Sequence, residues 1–140
     1  MRKKYYSKAL AIVLFAALLL SAAGCAGNPA ADGSDVTTIR ITLSILYPES
    51  SGRENVEDFS MQIEEEATVI QIMESYSNQE EIPVQVSDTE PPQILSIGDS
   101  PANETSRWIC LLNGDTDITE KISDYPLKDG DEIVWKFADM

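Results

Sequence analysis

The stretch "YPLKDGDEIVWKF", Tyr125–Phe137, holds two aspartates around a glycine and then a strongly apolar run. Two readings compete for it: an acidic ligand or metal site, or a turn that feeds a strand. The turn needs no ligand, because Gly130 can adopt a positive φ and an aspartate side chain can accept backbone N–H bonds. In the run that follows, Ile133, Trp135 and Phe137 fall on one face and Val134 and Lys136 on the other, the two-residue period of a strand. A strand aromatic is more often core than contact surface. Trp135 is therefore expected in the core, with its indole N–H satisfied.

The rest of the chain supplies elements for this strand to join. In "TTIRITLSILY", Ile39, Ile41, Leu43 and Ile45 alternate with Arg40, Thr42 and Ser44, and in "DFSMQIEEE" Phe59, Met61 and Ile63 alternate with Ser60, Gln62 and Glu64. Two such runs around the loop "YPESSGRENVED" read as a hairpin. The period then changes, with Val69, Ile72, Met73 and Tyr76 lying at i, i+3, i+4 and i+7, one stripe of a helix. Thr68 and Gln71 have the spacing of a capping box at its start. Shorter strand-like pieces follow at Ile82–Val86, Gln93–Ile97 and Arg107–Asn113, separated by spacers dense in Gly, Pro, Asp, Asn and Ser.

A hairpin, one helix packed across the sheet and further strands is the element order of a β-grasp-like domain, an α+β architecture. The competing architecture is a small β-sandwich with an incidental helix.

The segments "TVIQIME", "ILSIGDS", "RWICLLNG" and "YPLKDGDEIVWKF" together resemble a family of unknown function named for its similarity to the C-terminal domain of transcobalamin. Its "W-x-x-x-x-N-G" strand and turn match Trp108, Asn113 and Gly114. Its closing "Y-x-L-x-x-G-D-x-I-x-W-x-F" motif matches Tyr125, Leu127, Gly130, Asp131, Ile133, Trp135 and Phe137. The resemblance runs from about Thr38 to Phe137 and implies a corrinoid or another small nutrient as ligand. In the cobalamin carriers a large helical barrel precedes this domain and the corrinoid lies between the two, whereas this sequence matches only the smaller half.

At the other end, Arg2, Lys3, Lys4 and Lys8 precede an unbroken apolar run of 12 residues, Ala9–Leu20, in the order of a secretory signal. The run is short of the roughly 20 residues a membrane-crossing helix needs. "SAAGC" resembles the bacterial lipoprotein processing box, with Ala22, Ala23 and Gly24 matching and the usual Leu absent. That resemblance implies diacylglycerol on Cys25, a cell-envelope location outside the cytoplasm and a tether to the membrane; the alternative is an ordinary signal with a chance cysteine. The expected organisation is a signal peptide over residues 1–24, a lipid-anchored flexible linker over 25–36, rich in small and polar residues, and one folded domain over 37–140.

Beyond residue 24 the chain carries 6 Lys and Arg against 24 Asp and Glu, a net charge of −18. Nucleic acid is excluded as a partner, since phosphate contacts need a basic footprint. Chemistry is equally poorly provided for. The chain has no histidine to activate Cys110, which sits in the apolar run "WICLLN". Asn113, Asp115 and Asp117 alternate like the start of a calcium loop, but Ile118 stands where that loop needs Gly and Asp124 where it needs Glu. "LKDGDEI" is similar to a turn of the ubiquitin-like sulfur carriers, which act through a C-terminal Gly-Gly, where this sequence reads "FADM". "NET" at Asn103–Thr105 fits the glycosylation pattern and marks an exposed loop.

The sequence therefore leads to the expectation of a non-catalytic, membrane-tethered domain without metal or resident cofactor, binding a small molecule or serving a transporter. The rival is a structural or adhesive module that binds another surface protein. The residues placed at the ligand are Trp108, Asn113, Gly98 and Asp99, because loops and strand ends carry binding on such folds.

Overall fold

The computed structural model describes residues 35–140; the signal segment, Cys25 and most of the linker lie outside the described residues. The chain folds as a sheet-dominated α+β domain. Its elements are β1 (Thr38–Leu46), β2 (Val56–Glu64), α1 (Val69–Glu80), β3 (Val84–Val86), β4 (Ile94–Ile97), β5 (Ser100–Pro101), β6 (Ser106–Leu112), β7 (Thr116–Asp117) and β8 (Glu132–Asp139).

Five strands form the main sheet in the order β2-β1-β8-β6-β7. The hairpin expected from the two alternating runs is present: β1 and β2 pair antiparallel from Thr38 opposite Glu64 to Leu43 opposite Phe59. Beyond that the register shifts between Leu43 and Ile45. At the irregularity Asp58 takes a φ of 51°, and its N–H donates to Ser44 Oγ at 3.1 Å, which accounts for a serine buried in a strand. β8 runs parallel to β1 and antiparallel to β6, so the last strand lies in the middle of the sheet.

Alternation decides which face is buried. Ile39, Ile41, Leu43 and Ile45 of β1, Met61 and Ile63 of β2, Trp108, Cys110 and Leu112 of β6, and Ile133 and Trp135 of β8 all belong to one core. Helix α1 adds Val69, Ile72, Met73 and Tyr76, the stripe read from its periodicity, and Phe59 meets Tyr76 edge to face at 5.3 Å between ring centroids. The capping box forms, with the Thr68 N–H donating to Gln71 Oε1 at 2.8 Å.

The short strands after the helix, β3, β4 and β5, pair antiparallel with one another in a separate three-stranded sheet. One expectation is corrected: Trp135 is buried as expected, but its indole nitrogen has no hydrogen-bond partner. The cross-strand partners of Trp135 are Ile45 and Cys110, and neither side chain carries an oxygen to accept the bond.

The "LKDGDEI" segment is a turn whose acids serve the backbone. Asp129 Oδ1 accepts the Arg40 N–H at 2.8 Å, and Asp131 Oδ2 accepts the Lys128 N–H at 2.9 Å. Gly130 has a φ of 85°, and a Cβ there would meet nothing within 4 Å. Its replacement therefore tests backbone strain without a clash. Gly130→Ala is expected to lower stability by about 1–2 kcal/mol, read as a lower urea midpoint with an unchanged slope.

Candidate functional site

The four residues placed at the ligand from sequence separate into two groups. Asn113 sits at the end of β6 with a φ of 50°, and its side chain is engaged in the turn. Its Nδ2 donates to Asp131 Oδ1 at 2.9 Å, and its Oδ1 accepts the Glu132 N–H at 2.9 Å. The amide thereby ties β6 to the start of β8. The calcium-like alternation is likewise used within the chain, since Asp117 accepts from the Thr119 hydroxyl and N–H at 2.6 and 2.9 Å. Those bonds hold the Asp117 carboxyl below its ordinary range. Among the described residues, no group of three or more His, Cys, Asp or Glu side chains is gathered as a metal would require.

Trp108, Gly98 and Asp99 come together at a corner where the small sheet meets β6. The Trp108 indole is 2% exposed, and its Nε1 donates to Ser100 O at 2.8 Å, fixing β5 against β6. Its ring stands edge-on to Phe137 at 5.2 Å and to Tyr47 at 5.7 Å between centroids. Gly98, with a φ of 60°, turns the chain between β4 and β5, and a Cβ at this position would lie 2.9 Å from Arg53 Nε. Glycine here suits the positive φ and leaves room for that guanidinium.

Arg53 and Tyr47 complete the corner. The Arg53 guanidinium lies 5.8 Å from the centre of the Tyr47 ring, and its Nη2 donates to Asp99 Oδ2 at 2.7 Å. This is the one ion pair among the described residues, between a side chain 33% exposed and another 80% exposed. The loop that carries Arg53 is knit by short-range bonds: Tyr47 N–H to Asn55 Oδ1, Ser51 Oγ to Pro48 O, and Arg53 N–H to Ser51 Oγ. Neither Tyr47 nor Arg53 was singled out in the sequence. The available signal was an arginine following a Tyr-Pro loop in a chain with 24 acidic residues.

Hydrogen bonding at this corner is incomplete. Tyr47 Oη, Arg53 Nε and Ser100 Oγ are shielded from solvent and have no partner. Native interiors leave few such groups, each costing about 1–3 kcal/mol, and three share this one place. Burial pushes the Tyr47 hydroxyl up in pKa, opposed by Arg53 and reinforced by Asp99. Cys110, by contrast, is a buried core thiol pushed far up by desolvation, which leaves it protonated and inert.

The fold has solved counterparts. Haptocorrin in complex with Cbi superposes with a TM-score of 0.58 at 17% identity, over 72% of this chain and 25% of that one. The chain thus spans about a quarter of the haptocorrin chain. A proposed metal-binding protein from Ruminococcus gnavus superposes with a TM-score of 0.52 at 14% identity, over 73% of this chain and 98% of the other. At these identities the likeness is one of fold. No protein-family profile and no curated protein matches the sequence.

Tyr76 carries a pH consequence for the neighbourhood. Burial first, then Tyr47 and Glu80, push its hydroxyl up to about 12, with Arg53 opposing. An unfolded chain releases the same proton near pH 10. The folded state therefore holds a proton that the unfolded state has lost between these values, and stability falls as pH rises from about 10 to 12. Urea unfolding across this range is expected to show the decline, and Tyr76→Phe to make it shallower, with Tyr47 and Cys110, whose hydroxyl and thiol burial also pushes up, supplying the remainder.

Proposed function

We propose that this protein is a cell-envelope lipoprotein whose β-grasp-type domain binds a corrinoid or another small nutrient without catalysis. Cys25 carries the lipid, and the linker lifts the domain from the membrane surface so that ligand can pass to a membrane transporter. The observation that carries the ligand class is the fold shared with haptocorrin, which was solved with Cbi bound. The strand order β2-β1-β8-β6, with first and last strands parallel and one helix against the sheet, supports the β-grasp assignment. The gathering of Trp108, Gly98, Asp99, Tyr47 and Arg53 at one corner supports that end of the domain as the binding end. A corrinoid held here has its other face free, for a second protein to cover as the barrel does in the carriers.

A second reading, an adhesive or structural surface module, is favoured by a different observation. Strand β2 is a nine-residue edge of the main sheet, paired only with β1, and an open edge can receive a strand from another protein.

The two differ in what stabilises the domain. Cobinamide at 100 times its dissociation constant stabilises a folded state by about 2.7 kcal/mol, a rise in melting temperature on the order of 10 °C for a domain of this size. Absence of any shift at millimolar cobinamide would remove the corrinoid reading and leave the adhesive one. The anchor is tested separately. Two acyl chains bind membranes stably, so Cys25→Ser is expected to move the protein from the membrane to the soluble fraction and to abolish incorporation of labelled palmitate. A variant that stays with the membrane and takes up the label would overturn the assignment of Cys25.

A further inference from the structure

Three buried donors without partners, Tyr47 O–H, Ser100 O–H and Arg53 Nε–H, stand at one corner of the domain. Each is a group that a hydrogen-bond acceptor would satisfy. The same corner has a cover with a single fastening. The loop from Pro48 to Asn55 lays Arg53 against Gly98 and over the Tyr47 ring, and the Arg53 side chain is fastened to this corner through one oxygen of the exposed Asp99. An exposed ion pair of this kind contributes only about 0–1 kcal/mol. Displacing the guanidinium opens the Tyr47 ring and the Gly98 turn, at the corner where Ser100 meets Trp108.

The charge of the surroundings selects among acceptors. Asp99 already neutralises Arg53, Glu80 acts on the adjoining Tyr76, and the chain beyond residue 24 has a net charge of −18. A carboxylate or phosphate would have to displace Asp99 against that field. A neutral carbonyl or amide oxygen meets no such repulsion. We propose that Tyr47, Ser100 and Arg53 form a binding site for a neutral amide- or carbonyl-bearing ligand, covered by the Arg53 loop and latched by Asp99. This rests on the reading of the domain as a small-molecule binder, and it agrees with a corrinoid, whose ring is fringed with amides.

The test separates site from ligand, using the full chain in detergent micelles. Without ligand, Tyr47→Phe and Ser100→Ala each remove a buried donor that has no partner, so both variants are expected to melt no lower than the parent. A fall of several degrees in both would mean that the hydroxyls serve the fold and would overturn the proposal. With cobinamide, each of these variants is expected to bind about tenfold more weakly, and Asp99→Asn to bind more tightly because the latch is released. Unchanged affinity in both hydroxyl variants would also overturn it. If the parent does not bind cobinamide, the corrinoid reading falls alone, and propionamide and propionate become the probes. In Asp99→Asn the Trp108 indole N–H resonance should then shift with propionamide, and not when Tyr47→Phe is added. A shift with propionate only, or with neither probe, would overturn the site.

Discussion

Strand β8 pairs on one side with β1 in parallel and on the other with β6 antiparallel, so the main sheet is complete only when the C-terminal segment has inserted at its centre. Parallel neighbours cannot be joined by a hairpin and need a crossover. Here the crossover is everything between Leu46 and Glu132, including the helix and the small sheet. The turn residues acquire their importance from this insertion. Asp129 and Gly130 bond the backbone of Arg40, and Asn113 bonds Asp131 and Glu132. The turn is thus fastened to both strands that receive β8. Pairings this distant in sequence carry a large loop-closure cost before any contact repays it, and a turn pinned to both neighbours reduces the registers that must be searched.

Core and corner answer to different demands. Beneath the sheet, α1 and the inward residues of four strands are packed with side chains that leave little polar surface, and the lone exception is the unpartnered indole of Trp135. At the corner, aromatic packing is just as dense, with Trp108 between Tyr47 and Phe137, yet three polar atoms lack partners. With three of the four buried unpartnered side-chain atoms of the described residues in one place, most of the unspent hydrogen-bonding capacity is concentrated there. Stability and binding are then opposed at Tyr47 and Ser100, and aligned at Trp108, whose indole N–H is already committed to Ser100 O.

Periodicity made the hairpin and helix legible, because β1, β2 and α1 are nine, nine and twelve residues long and each bears a full stripe on one face. The small sheet was not legible in the same way. Strands of three, four and two residues are too short for a two-residue period to say which sheet they join; pairing partners decide that, and partners are not written in local pattern. Trp108, Gly98 and Asp99 were readable as residues of interest, but their common location with Tyr47 and Arg53 was not, since Arg53 and Asp99 are 46 residues apart. Asn113 was legible as a turn residue, whereas its bonds to the Asp131 side chain and the Glu132 N–H were not. Trp135 shows the reverse case, where burial was predictable and hydrogen bonding was not, because the missing acceptor is a property of the neighbouring strands.

Arg53 is where the overall charge of the chain and its local structure meet. It is one of 6 basic residues beyond position 24, among 24 acids, yet its guanidinium is spent on a loop-to-turn contact with Asp99. The bond to Asp99 raises the hold of Arg53 on its proton, so the guanidinium stays charged at any physiological pH and the contact does not open by its titration. It opens by exchange, when another acceptor replaces Asp99 or when the loop moves. Among carboxylates it is Asp99 that acts on Arg53, through the bond and its charge, and Gly98 leaves room for that contact. The corner is therefore held shut by that ion pair together with the fit of Arg53 against Gly98, and the cover yields to whatever offers the donors of this corner a better set of acceptors.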